Sequence, residues 1–439
     1  MKNTPIDSVL VEQKIKESGL PVVGKGSIRE IVRLVNNIEK VSGDKFIRME
    51  MGVPGLEPAE VGIQAEIDAL KSGVASKYPM IEGVAELKPE IARFVKLFLN
   101  IDVNAESCIP TVGSMQGGFA SFLVSCRRDI KKDTTLFIDP GFPVQKQQHR
   151  VLGLKFETFD VYDFRGEALH EKLESYLEKG NISTIIYSNP NNPSWICFTE
   201  KELKIIAELS NKYDVIVLED LAYFAMDFRK DYSKPGEPPY QPTIANYTDN
   251  YILLISSSKV FSYAGQRIGS MVISNKLFYR KFPDLKRFFN SDELGYAMVF
   301  GALYSLSSGV CHSSQYALKA MLKAANDGDF DFIEMVKEYG ERAKIMKKLF
   351  IENGFKIVYD KDEEKQLADG FYFTFSYPGF SGIELLEELL YYGISAISLD
   401  ITGSKRLEGM RACVSQIQRS QFVDLEFRLK KFAENNPIS

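Results

Sequence analysis

The chain has 439 residues, 45% hydrophobic and 26% charged, the balance of an ordinary folded globular protein with length for roughly two or three domains. A net charge of −5 gives no electrostatic basis for a nucleic-acid or anionic-membrane partner, and no stretch approaches the roughly 18 apolar residues of a membrane span. The start MKNTPIDSVLVEQKIKESG is too polar for a signal peptide, and five scattered cysteines without C-x-x-C spacing point to a reducing, cytoplasmic compartment rather than a disulfide framework.

The first 50 or so residues are helix-like. Strands are then predicted at TTLFID (134–139), TIIYS (184–188), DVIVLE (214–219), YILLIS (251–256) and SMVIS (270–274). They are apolar and β-branched without alternation, as strands covered on both faces should be. Helical patterns lie between them, including FTEKELKIIAELSNKY (198–213), where Thr199 and Glu202 form a capping-box signal. This strand–helix–strand order predicts an α/β fold, a mostly parallel sheet flanked by helices. Residues 229–243, with four prolines, read as a loop. After Gly328 the pattern changes: 331–353 reads as one long amphipathic helix, followed by FKIVYD, GFYFTFSY, GISAISL, GMRACVS and a C-terminal helix, a smaller α+β unit.

The residues with chemical potential fall just after predicted strands, where open α/β sheets bind ligands. Gly113-Ser114 precedes a helical pattern, with Ser114 a good N-cap; such a terminus binds phosphate, and a merely well-capped helix is the plainer alternative. Phe142, on a turn in DPGFPVQ, can stack on a flat ring or simply pack. The double Asn-Pro step in SNPNNPSW presents Asn192, able to donate to a phenolate oxygen, or else only makes a turn. Asp220 sits at the buried end of an apolar strand, a costly place for a carboxylate without a partner such as a protonated pyridine; a helix N-cap is the alternative. Tyr223 is three residues on.

SSSKVFSYAGQRIG (256–269) is the most informative stretch. Lys259 follows an apolar strand, where a lysine readily loses its proton and becomes a nucleophile. Ser256 and Arg267 beside it suit a phosphate ester. Together they read as an anchor for pyridoxal 5′-phosphate (PLP). The three histidines, His149, His170 and His312, lack metal-ligand spacing, so no metal is expected and acid–base work falls to lysine, carboxylates or tyrosine.

From about residue 48 onward these motifs resemble the PLP-dependent aminotransferases of the aspartate aminotransferase superfamily (fold type I, class I/II). N-P-x-N-P at 189–193, D-x-A-Y at 220–223 and S-x-S-K-x-F-S-x-x-G-x-R-I-G at 256–269 carry most of the resemblance. It implies a large PLP-binding domain over 48–328 and a small domain from 1–47 and 329–439. It implies that Lys259 anchors PLP and Asp220 meets the ring nitrogen. Asn192 and Tyr223 would meet the ring's 3′ oxygen, and Ala222 and Phe142 its two faces. The Ser114–Met115–Gln116 turn, Ser256, Arg267 and Tyr78 of a second subunit would hold the phosphate, implying a homodimer. Arg411 in GMRACVS would take the substrate carboxylate, with Gly52 nearby. The chain departs from the family where Trp195, its one tryptophan, replaces a glycine after Asn192-Pro193-Ser194, and Arg287 is no convincing match for a second carboxylate.

The expected activity is amino-group transfer from an L-amino acid to a 2-oxo acid. A carbon–sulfur β-lyase or related α,β-elimination enzyme is the alternative, and a non-catalytic PLP-binding module a more distant one. With no second arginine matched, the expected donor has a neutral side chain, aromatic or large aliphatic. Trp195 either shapes an apolar pocket or fills core space beside the Asn-Pro turn.

Overall fold

The computed structural model describes residues 3–438; Met1, Lys2 and Ser439, at the ends of the expected small domain, lie outside the described residues. The chain divides into two compact units. The larger comprises Leu56–Pro190 and Cys197–Val336. The other runs to Gly55, takes in Asn191–Ile196 and resumes at Lys337.

The larger unit is built on seven strands: β1 (Cys108–Thr111), β2 (Thr134–Asp139), β3 (Lys155–Asp160), β4 (Ile182–Ser188), β5 (Ile216–Leu221), β6 (Tyr251–Ser256) and β7 (Gly269–Ile273). Their order across the sheet is β1-β7-β6-β5-β4-β2-β3. β2 to β6 are mutually parallel, and β7 runs antiparallel to both of its neighbours. Every residue of β2, β4, β5 and β6 is buried, which is why their sequences lack alternation. The two edges escape a search for apolar runs. β1 carries Pro110, which an edge tolerates, and β3 (KFETFD) is polar and half-exposed.

The expected helix over 198–213 forms at Glu200–Lys212 with its capping box complete: Glu202 N–H donates to Thr199 Oγ1 (3.3 Å) and Thr199 N–H to Glu202 Oε2 (2.9 Å). The long helix expected over 331–353 is instead two, Phe332–Val336 and Glu338–Glu352, interrupted at Lys337 and divided between the units. Phe332, Ile333 and Val336, then Tyr339, Ala343, Met346 and Phe350, are buried at continuous helical spacing, so the sequence pattern carries no sign of the break.

The other unit holds an antiparallel sheet of β8 (Lys356–Ile357), β9 (Tyr372–Ser376), β10 (Ile397–Ser398) and β11 (Met410–Cys413), ordered β10-β11-β9-β8. Phe350 of helix Glu338–Glu352 packs on Phe375 of β9 (4.5 Å between ring centres), and Phe432 of helix Phe422–Asn435 on Phe355 (5.2 Å). Among the described residues no helix is long and apolar enough to cross a membrane.

Candidate active site

In the larger unit the parallel strands end on one rim, and chemistry-bearing residues collect there. Asp220 lies within β5, in register with Ser188 of β4 and Leu254 of β6. It caps no helix: its Oδ1 accepts from the N–H of Ala222 (3.1 Å), closing a local turn. Its Oδ2 accepts from the Gln145 amide (2.9 Å). Burial pushes the carboxyl up to about 6, against the pull of those two donors, both neutral. The adjacent Glu219 faces the other side of the sheet and is structural. Burial pushes it up to about 7, and it accepts from Thr243 Oγ1, Ile244 N–H (3.1 Å) and Asn189 Nδ2 (3.3 Å). Asn189 Oδ1 in turn accepts from Phe198 N–H (3.2 Å), so the first asparagine of the Asn-Pro motif is a staple.

Beside β5, strand β6 ends at Ser256, whose hydroxyl caps the short helix Ser257–Val260 by accepting from Ser258 N–H (3.1 Å). Lys259 stands in that helix, half-buried. The β1 strand ends on the same rim and leads into helix Gly113–Ser125. Ser114 is not the N-cap expected of it. Val112 holds that place, no side chain caps the helix, and Ser114 falls in the first turn. Gln116 folds back, its Oε1 accepting from Val112 N–H (2.9 Å) and its Nε2 donating to Ser307 Oγ (2.7 Å), while Gln148 Nε2 donates to the Met115 carbonyl (3.0 Å). Gly113 takes φ +62°, and a Cβ there would lie 2.6 Å from Arg267 Nη2. An uncapped helix start with a guanidinium laid against it is an anion cradle that the glycine keeps open.

Phe142, half-buried, stands at the N-cap of helix Pro143–Leu152, one turn before Gln145. Ala222 is half-buried and Tyr223 buried in the turn after β5. Tyr78 is 94% exposed. The buried acid with neutral donors and the uncapped helix beside Arg267 fit a cationic heteroaromatic ring and a phosphate, the two ends of PLP.

The other unit gathers Gly52, Asn192 and Arg411. Arg411 is buried on β11 and, among the described residues, pairs with no carboxylate. Its Nη1 donates to Asn192 Oδ1 (3.2 Å) and its Nη2 to the Glu50 carbonyl (2.5 Å), while Nε has no hydrogen-bond partner. The guanidinium lies over the ring of Tyr372 at 4.5 Å. Tyr372 on β9 is opposite Cys413, which puts it diagonal to Arg411 on the same sheet face. Gly52 is required by that ring, since a Cβ would come 2.1 Å from Tyr372 Oη. A buried cation without a counter-charge is a receptor for a carboxylate. Trp195 is completely buried, so it walls no open pocket. Arg287, in the larger unit, is exposed and lies over Phe288.

Gln145, Tyr372 and Glu50 escaped the sequence reading. Gln145 had one available signal, its place one turn after Phe142 on the helix that follows β2. Tyr372 sits in an aromatic run, GFYFTFSY, where nothing singles it out.

Fold and site define a PLP-binding α/β enzyme, and the comparisons place it. Residues 44–362 match the family described as aminotransferase class I and II, and the chain belongs to that family. An aspartate aminotransferase of Pyrococcus horikoshii is 25% identical over 336 residues, 74% of this chain and 75% of that one. Aromatic-amino-acid aminotransferase 2 of Thermococcus litoralis is 27% identical over 57% of this chain and 61% of its own length. In fold, the crystal structure of an aspartate aminotransferase from Thermotoga maritima matches 96% of this chain and 99% of its own with a TM-score of 0.75 at 18% identity. The chain is thus a PLP-dependent enzyme that transfers an amino group from an amino acid to a 2-oxo acid, and the elimination alternative is not favoured.

Proposed function

We propose that Lys259, Asp220 and Arg411 carry this transfer. The observation that supports it most is Asp220, a buried carboxylate at a strand's carboxyl end faced, among the described residues, only by neutral donors. When bound, PLP supplies the aldehyde that takes the amino group and a cationic ring that accepts the electron pair released at the substrate Cα. Asp220 would hold the proton on the ring nitrogen, its ionised carboxylate matched by that cation. Lys259 would anchor the cofactor, and its Nζ would take the proton from the substrate Cα. Phe142 and Ala222 would pack on the ring, and Tyr223 and Asn192 would serve its 3′ oxygen. The N–H groups of the Ser114–Met115–Gln116 turn, with Ser256 and Arg267, would hold the phosphate. Arg411 clamps the α-carboxylate beside Gly52, orienting the Cα–H bond.

The working unit is a homodimer in which Tyr78 of a second copy completes the phosphate site; its 94% exposure in the protomer supports this. The larger unit is read as the cofactor domain, expected over 48–328, and the other as the small domain. Five scattered cysteines, four of them buried, support a reducing, cytoplasmic setting.

The amino donor has a neutral side chain, aromatic or large aliphatic, because Arg411 serves the α-carboxylate and the other arginine considered, Arg287, is exposed on Phe288. Rapid mixing of the holoenzyme with phenylalanine, leucine and aspartate, following the cofactor's absorption in the first half-reaction, tests both statements. Conversion with phenylalanine or leucine at the higher kcat/KM is expected. A clear preference for aspartate overturns the substrate assignment, and release of pyruvate and ammonia without a 2-oxo acid acceptor overturns transfer.

A further inference from the structure

Trp195 has φ +67°, a backbone conformation in which glycine is at home and a large side chain is rarely found. What the indole touches accounts for its place. It is fully buried against Gly370, where a Cβ would come 2.1 Å from Trp195 Cε2. It meets Tyr372 edge-on, ring centres 6.1 Å apart and planes at 68°. The Arg411 guanidinium lies on the ring of Tyr372. The turn that carries Trp195 is itself tightly held: Trp195 N–H donates to the Asn191 carbonyl (2.9 Å), and the Asn191 side chain accepts from both the N–H (3.1 Å) and the hydroxyl (2.7 Å) of Ser194.

We propose that Trp195 is a positioning residue for Arg411. The turn grips the guanidinium twice. Asn192 accepts a hydrogen bond at its edge, and Trp195, through Tyr372, supports its face. The direction in which Arg411 meets a carboxylate is therefore set by the Asn191–Ile196 turn as well as by β11. Because the support is aromatic, it leaves the guanidinium charge for the ligand. This rests on Arg411 being the carboxylate clamp.

The test uses holoenzyme and 3-phenylpropanoate, a carboxylate that lacks the reacting amine, with 3-phenylpropanamide as the uncharged control. Titration calorimetry gives affinity, and the emission of the single tryptophan reports on the stack. In the wild type the emission should change saturably with the acid, at the calorimetric midpoint, and not with the amide. Trp195→Gly and Tyr372→Leu should each weaken the acid by about tenfold and raise the donor KM in proportion, with kcat within about threefold. Trp195→Phe and Tyr372→Phe, which keep a ring, should stay within about threefold of wild-type affinity. Should Trp195→Gly fail to fold, Tyr372→Leu decides. Wild-type affinity in Tyr372→Leu or in a folded Trp195→Gly overturns the positioning role. So does emission that ignores the acid while calorimetry shows it bound. Arg411→Leu separates the underlying reading: if it binds the acid as the wild type does, the clamp assignment itself fails. If Arg411→Leu alone loses the acid, the clamp stands and the brace falls.

Discussion

At Asp220 two neutral donors, the Gln145 amide and the Ala222 N–H, face a carboxylate that burial has pushed up to about 6. The folded apoenzyme therefore holds this proton more tightly than the unfolded chain, whose aspartate titrates near 3.8. The resulting stabilisation is complete below the unfolded value and is lost as pH rises through about 6. A shift of that size corresponds to about 3 kcal/mol. Asp220→Asn should remove it, so denaturant titrations of apoenzyme at pH 5 and pH 8 should differ less in the variant than in the wild type. An unchanged difference would mean that Asp220 does not titrate as its burial requires. Lys259, in the short helix after β6, is tested by chemistry alone. Borohydride treatment of holoenzyme should fix the cofactor to the peptide carrying Lys259, and Lys259→Ala should abolish turnover; label on another lysine refutes the anchor.

Among the elements, helix Gly113–Ser125 shows how a missing feature is used. Helices usually gain about 1 kcal/mol from a side-chain cap. This one starts without one, behind a glycine at φ +62° against which Arg267 lies. An alanine at 113 would strain the backbone and push its Cβ into the guanidinium. Gly113→Ala should therefore weaken PLP binding by about tenfold or more, while leaving the thermal stability of the apoenzyme within a few degrees of wild type. Equilibrium dialysis against PLP measures the first and calorimetry the second; wild-type PLP affinity would show that this helix start does not hold the phosphate.

For the whole molecule, Tyr78 is the residue a protomer alone leaves idle. If it serves the site of a second copy, a mixture of Lys259→Ala and Tyr78→Phe subunits forms hybrids with one intact site each. With random exchange between two-fold partners, activity should recover to about a quarter of wild type from two preparations that are each inactive. A fully active monomer in sedimentation would refute the shared site.

The central strands and the residues at their ends were legible because both follow from local rules. A strand covered on both faces is largely apolar, so β2, β4, β5 and β6 stand out, and Asp220, Ser256 and Lys259 are conspicuous as polar groups at or just past the strand ends. Glycine, proline and the capping box mark turns and helix starts for equally local reasons. The edge strands β1 and β3 were not legible, because an edge needs no apolar run. The break at Lys337 was hidden by burial that continues at helical spacing on both sides of it. Ser114 looked like a cap, because capping depends on where the chain turns into the helix, and that turn falls two residues earlier, at Val112-Gly113. Gln145 beneath Asp220, and Tyr372 between Trp195 and Arg411, belong only to the tertiary structure. Each acquires its role from a partner more than twenty residues away in the chain, and no spacing rule reaches across that distance.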